Sequence, residues 1–283
     1  MLTREIIMNT LQTKGYNVLP ADVTKNGVEM QGVTIGEGKV RPTIYINDFL
    51  KWTDDRLDEV VCIIEDMYSK TQKNTPQIDI ENIKDWDYIK TRLQVCVQKK
   101  GNEDIVKKDF LDLELYVRVI VDTNRDEEGC VGSFKVKPEH IKMWNVDESV
   151  LFSAAWDCTK PTLVEEDMAK IISQMLGKNE AEILSEMGSA PRQIILSNKT
   201  RINGAVAMCD VWFLKEIADR LESDLVIFPS SIHECIVTPM DGILRRNELD
   251  AMVKNINETQ VAPEEVLSNH AYFFNRNTME IGW

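Results

Sequence analysis

The sequence predicts an α+β protein: a mixed, mainly antiparallel sheet flanked by helices, with a smaller N-terminal hairpin-helix unit. Three observations carry this expectation. Strand-like runs and helical stripes follow one another without the strand–helix–strand rhythm of a doubly wound parallel sheet. Asn26-Gly27 lies between short alternating flanks, the strongest local signal for a two-residue hairpin turn. Leu225 to Phe228 is a continuous apolar run, and a second extended run, Glu234 to Thr238, follows it closely, as expected of core strands buried on both faces.

Taken in order, Leu2, Ile6, Ile7 and Leu11 mark a short amphipathic helix that Gly15 ends. The hairpin around Asn26-Gly27 follows, then a strand over Thr43–Ile46. A helix after it carries Leu57, Val60, Val61, Ile64, Met67 and Tyr68 on one face, with Thr53-Asp54-Asp55 as its cap region. The polar stretch Lys70 to Asp79, with Pro76 and no periodicity, is the linker candidate. It divides the chain into an N-terminal unit, 1–75, and a main α+β domain, 76–283. In that domain Ile80 to Leu93 reads as a helix leading into a strand at Val95–Gln98, and a charged loop follows. Leu113–Val121 reads as a central strand that pairs with Val131–Val136 across the turn-rich Asp122–Gly129. Pro138 opens helices over Glu139–Trp144, Glu148–Trp156 and Val164–Leu176, and a shorter one surrounds Ile183 and Met187. Arg192–Leu196 and Ala205–Met208 read as strands, Asp210 as the cap of a helix through Leu221, and Leu249 to Ile256 as another helix. Pro263 starts a short last helix. Tyr272–Phe274 and Met279–Ile281 form a terminal hairpin.

Apolar residues make up 43% and charged residues 28% of the 283, the balance of a globular protein with a substantial core. No apolar run approaches the length that spans a bilayer, and Met1–Gln12 has no apolar signal core, so the expected location is cytoplasmic. The net charge is −14, with acidic residues spread along the chain. A field of that sign repels phosphate backbones and disfavours general nucleic-acid binding. The cysteines at 62, 96, 130, 158, 209 and 235 contain no Cys-x-x-Cys pair, so they read as reduced core thiols rather than a zinc or dithiol site.

Several phrases occur together in this order: Lys25-Asn-Gly-Val28, Pro42-Thr-Ile-Tyr-Ile46, Phe110-Leu-Asp-Leu113, His140-Ile-Lys-Met-Trp144, Ser197-Asn-Lys199, Ile202-Asn-Gly-Ala205, Pro229-Ser-Ser-Ile-His-Glu234, and Thr259 through Ser268. Over nearly its whole length the chain resembles a family of bacterial proteins, frequent in gut Firmicutes, known only as a domain of unknown function. The resemblance implies no activity, cofactor or catalytic residue. Where such proteins commonly carry a Pro-His pair before the Phe-Leu-Asp-Leu phrase, this chain has Lys108-Asp109.

The principal candidate site is the junction between the two core strands. Ser231, His233 and Glu234 are the candidate catalytic residues, because an unactivated serine needs an imidazole within hydrogen-bond reach and a carboxylate to orient it. Against this, adjacent residues of an extended chain point to opposite faces, and no Gly-x-Ser-x-Gly elbow surrounds either serine. The competing reading has the hydroxyls satisfying backbone groups at a bend beside a structural histidine. Candidate binding residues are Ser230 together with Asn257, Thr259 and Gln260 from the polar segment flanking Pro263. No metal site is expected, since the three histidines lack ligand spacing. Asp122, Asn124 and Asp126 begin like a calcium loop, but Glu127 stands where glycine is needed and Ser133 where glutamate is. Gly36-Glu-Gly38 lacks the third glycine and the helix of a phosphate cradle. Glu165-Glu166-Asp167 reads as an acidic first helical turn.

The leading functional expectation is a non-enzymatic cytoplasmic interaction or accessory protein with a protein partner and no cofactor. The alternatives are a hydrolase-like enzyme using Ser230–Glu234, and an acidic decoy occupying the groove of a nucleic-acid-binding protein.

Overall fold

Asn26 and Gly27 both take positive φ, 47° and 78°, the left-handed pair that a two-residue hairpin turn requires. In the computed structural model, which describes residues 1–283 except 38–40, 74–81, 122–131, 189–190 and 241–244, this turn joins β1 (Val18–Lys25) to β2 (Val28–Ile35). The chain divides into two compact units, Met1–Gln77 and Ile78–Trp283. In the first, α1 (Arg4–Thr13) precedes the hairpin, capped by the Thr3 hydroxyl, which accepts from the Ile6 N–H. β3 (Thr43–Tyr45) pairs with β2 to complete a three-stranded antiparallel sheet. α2 (Leu57–Lys73) follows, and Ile7, Leu11, Val33, Ile35, Ile44, Val60, Val61 and Ile64 close a separate core. The stretch expected to be a linker is therefore helical through Lys73, because its lysines and glutamine continue the helix at little cost. Its remainder, 74–79, and the expected boundary lie outside the described residues, as do Asp122, Asn124, Asp126, Glu127 and Gly38.

The second unit opens with one helical turn, α3 (Trp86–Ile89), rather than the longer helix expected. Leu93 already belongs to β4 (Leu93–Lys99), because pairing with β6 (Leu113–Ile120) satisfies its backbone. The charged loop contains β5 (Lys107–Phe110), which turns into β6 through Leu111 at φ 56°. β7 (Ser133–Lys135) also pairs with β6. Every pairing in this sheet is antiparallel. One face of it is apolar. The other carries buried Gln94, Gln98, Glu114 and Arg118. There Lys107 Nζ lies 3.0 Å from Glu114, Gln98 donates to Glu114 at 2.8 Å, and Lys135 Nζ donates to Gln98 and lies 2.6 Å from Glu103.

Helices α4 (Pro138–Trp144) and α5 (Glu148–Thr159) come next. The acidic run Glu165-Glu166-Asp167 does not open a helix. It lies in β8 (Leu163–Asp167), where pairing with β9 (Ile194–Asn198) overrides the local signal, and only Asp167 caps α6 (Met168–Leu176). α7 (Glu180–Met187) stands where expected. Ala205–Met208, expected as a strand, lies in a 3-10 turn, Gly204–Cys209, whose residues from Gly204 to Met208 are all buried; a short apolar run fits either form. Asp210 caps α8 (Val211–Leu221) as expected, accepting from the Trp212 and Phe213 N–H groups.

β10 (Leu225–Phe228), β11 (Cys235–Pro239), α9 (Arg246–Gln260), β12 (Tyr272–Phe274) and β13 (Ile281–Gly282) complete the chain. Pro263 begins a turn, not a helix: the Glu265 N–H bonds only back to Ala262 O. The six-stranded antiparallel sheet runs β13-β12-β10-β11-β9-β8. Leu225, Ile227, Val237, Leu196, Tyr272 and Phe274 face the main core, which they share with α5, α8 and the apolar face of the β4–β6 sheet. Val226 on the opposite face meets Leu249 and Val253 of α9. Of the six cysteines, Cys130 is outside the described residues; the others are free thiols, and Cys62 is exposed rather than in the core. Among the described residues no helix is long and apolar enough to cross a membrane.

Candidate functional site

The residues between β10 and β11 form a tight bend whose polar groups are tied to three other segments. Ser231 N–H donates to Glu234 O at 3.1 Å, and the Ser231 hydroxyl accepts from the His233 N–H at 3.0 Å, closing a local turn. Ser197 of β9 donates its hydroxyl to His233 O at 2.8 Å. Ile232 O accepts from Ala205 N–H, and Ile232 N–H donates to Glu265 O at 2.8 Å. The phrases around Ser197, Asn203, His233 and Glu265, far apart in sequence, therefore meet at one point.

The imidazole of His233 is held from both ends. Its Nδ1 accepts from the Asn203 N–H at 3.2 Å, which leaves the proton of the neutral ring on Nε2, 3.4 Å from Glu265. Ser231 and His233 are thus joined through hydroxyl and backbone, not through a hydroxyl–imidazole hydrogen bond, and the carboxylate beside the ring is Glu265 rather than Glu234. Asn203 reaches the ring only because it takes φ 54°, and Gly204 follows it where no side chain fits: a Cβ there would stand 2.5 Å from Asn198 N and 2.7 Å from His233 O. The Asn198 carboxamide fixes this loop, accepting from Thr200 and donating to Ile202 O. Below the bend, burial pushes the Cys235 thiol well up, and Glu234 adds to the effect, so Cys235 stays protonated and inert.

Beside this frame lies a cavity of about 220 Å³ on the α9 side of the six-stranded sheet, walled by Phe228, Pro229, Ile236, Met252, Val253 and Ile256. A helix about 10 Å across covers roughly two strands spaced about 4.8 Å apart. α9 packs over Val226 and Ala271, with Phe228 and Phe273 at the margin, and leaves Ile236 of β11 and Gln193 beside β9 at its flank. Two of the sequence-derived binding residues, Ser230 and Asn257, line this cavity together with Gln193. The other two do not: the Thr259 hydroxyl bonds back to Asn255 O, and Gln260 is exposed at the end of α9.

Asn257 is 6% exposed and its orientation is fixed. Its Nδ2 donates to Ser268 O at 2.7 Å and to Asn269 Oδ1 at 2.9 Å, so Oδ1 is the atom left over, and no donor among the described residues reaches it. The Ser230 hydroxyl likewise has no hydrogen-bond partner among them. The arrangement is an apolar chamber with three polar side chains on its lining, Gln193, Ser230 and Asn257.

A second convergence was not legible in the sequence. Asp112, from the β5–β6 turn, accepts from the Tyr272 hydroxyl at 2.8 Å and meets His270 Nε2 at 3.0 Å, tying the two sheets of the second unit together. Burial and the Asp112 carboxylate push the Tyr272 phenol up. Among the described residues no group of three or more His, Cys, Asp or Glu side chains is placed to hold a metal ion.

No curated protein and no solved structure matches the chain significantly. A family model described as "Family of unknown function (DUF5688)" matches residues 3–276. The chain belongs to that family.

Proposed function

We propose that this member of the DUF5688 family is a non-enzymatic, cytoplasmic binding protein that holds an apolar group of a protein partner in the cavity between α9 and the β10–β11 hairpin. The observation that carries the reading is the division of labour at the bend. Ser231 and His233, which could have formed a nucleophile–base pair, are committed to backbone and to Glu265, while the cavity beside them keeps apolar walls and the polar side chains of Gln193, Ser230 and Asn257. Binding sites have that composition: a mostly apolar lining with a few placed polar atoms. A hydrolase built on Ser231 is disfavoured by the same bonds, since a serine nucleophile needs the imidazole at its hydroxyl. The net charge of −14 favours a partner with a neutral or basic contact face.

Affinity capture from nuclease-treated native lysate tests this, with wild type beside Ile256→Trp, which narrows the mouth of the cavity, and a Ser231→Ala, His233→Ala double variant shown to be folded. The expected result is one stoichiometric partner, retained by the double variant and lost by Ile256→Trp. Hydrolysis of ester, peptide or phosphoester substrates that disappears in the double variant would overturn the proposal.

A further inference from the structure

From the polar atoms of the cavity we infer that the occupant is an aromatic side chain carrying a ring N–H or O–H, a tryptophan or tyrosine of a partner polypeptide; this rests on the reading of the cavity as the binding site. Volume sets the first limit. A cavity of roughly 150 Å³ accepts benzene, so about 220 Å³ admits a larger ring system. The walls supply Phe228, Pro229, Ile236, Met252, Val253 and Ile256, an aromatic ring, a thioether and aliphatic groups against which a flat ring packs.

Asn257 sets the second limit. Asn257 is more than nine-tenths buried and its carbonyl oxygen has no donor among the described residues, so an occupant that displaced water from it without replacing that bond would leave it unsatisfied. Its amide cannot rotate to relieve this, because Nδ2 is already held by Ser268 O and Asn269 Oδ1. A ligand N–H or O–H aimed at Oδ1 removes the deficit, and a purely aliphatic group leaves it. The Ser230 hydroxyl on the same cavity offers a second partner of either sense.

The mouth argues for a polypeptide source. Met252 and Ile256 stand one helical turn apart on α9, each 42% exposed. They extend the apolar surface beyond the chamber, where the residues flanking an inserted side chain can rest. A free polar metabolite has no use for that rim.

The test uses the full chain and matched probes, followed by NMR titration with wild type and Ile256→Trp in parallel. Indole and indene differ by the N–H, and N-acetyltryptophanamide places the indole in a peptide setting. Indole should bind about three- to tenfold tighter than indene, the worth of one net hydrogen bond. N-acetyltryptophanamide should bind at least as tightly as indole, and Ile256→Trp should abolish all three. Equal affinity for indole and indene overturns the donor requirement while leaving a binding cavity. Binding of indole with exclusion of N-acetyltryptophanamide overturns the polypeptide source. Failure of indole and indene alike to shift resonances lining the cavity overturns both this inference and the placement of the binding site.

Discussion

On the polar face of β4 and β6, Lys107, Glu114, Gln98, Lys135 and Glu103 form a chain in which every charge meets its opposite or an amide. At α9, Asn257 and Ser230 hold oxygens that nothing in the described chain reaches. In each set at least one side chain is buried, Glu114 and Gln98 in the first and Asn257 in the second. The first is closed, so its geometry supports the fold; the second is open, so its geometry is left for something else to complete. Polar burial by itself therefore does not mark a functional site in this molecule.

Glu114→Leu gives the largest test of that contrast. It removes the acceptor of Gln98 and one partner of the half-buried Lys107, and should lower unfolding free energy by about 2–3 kcal/mol, read from the urea midpoint. A Glu114→Leu, Lys107→Met double variant should recover part of the loss. If the single variant is as stable as wild type, the network is not closed in solution. Next comes Gly204→Ala, whose Cβ would press on backbone atoms of Asn198 and His233. It should cost about 1–3 kcal/mol and shift amide resonances of the bend. Ser230→Ala belongs to the open set, and its stability should stay within about 0.5 kcal/mol of wild type while indole affinity falls. A large stability loss there would erase the distinction.

The smallest effect concerns pH. Burial lowers the His140 pKa, with Lys137 assisting and Glu139 opposing. The folded state thus favours the neutral ring, whose Nδ1 accepts from the Lys137 N–H. Below the ordinary histidine range the unfolded chain binds the proton first, so this contribution is present at neutral pH and is lost as pH falls through that range towards the lowered folded value. His140→Gln should flatten that part of the stability–pH curve, measured by denaturation at successive pH values.

How much of this was legible follows from where each signal lay. Asn26-Gly27, the Asp210 cap and the stripes of α8 and α9 are local, and the sequence states them openly. The β5–β6 hairpin was missed because its turn puts Leu111, not glycine or asparagine, at positive φ. Glu165 and Glu166 imitate a helix start, and only pairing with β9 makes them strand. The bend at Ser231 and His233 was found because two apolar runs bracket it. Its partners Ser197, Asn203 and Glu265 were not, since their contact depends on the order of strands in a sheet. Ser230 and Asn257 were both named as binding residues, yet from separate segments, and nothing in the sequence placed them on one cavity.

The position of β12 has a consequence for synthesis. β10 precedes β12 by more than forty residues, yet its second edge is paired only by β12. Between the emergence of β10 from the ribosome and that of β12, the Val226 strand presents an uncovered row of amides and carbonyls on a hydrophobic ladder. At about 5–20 residues per second that window lasts seconds. The nascent chain is most open to β-pairing with a neighbour on the same message during that interval, and it ceases to be so when Tyr272–Phe274 emerges and docks.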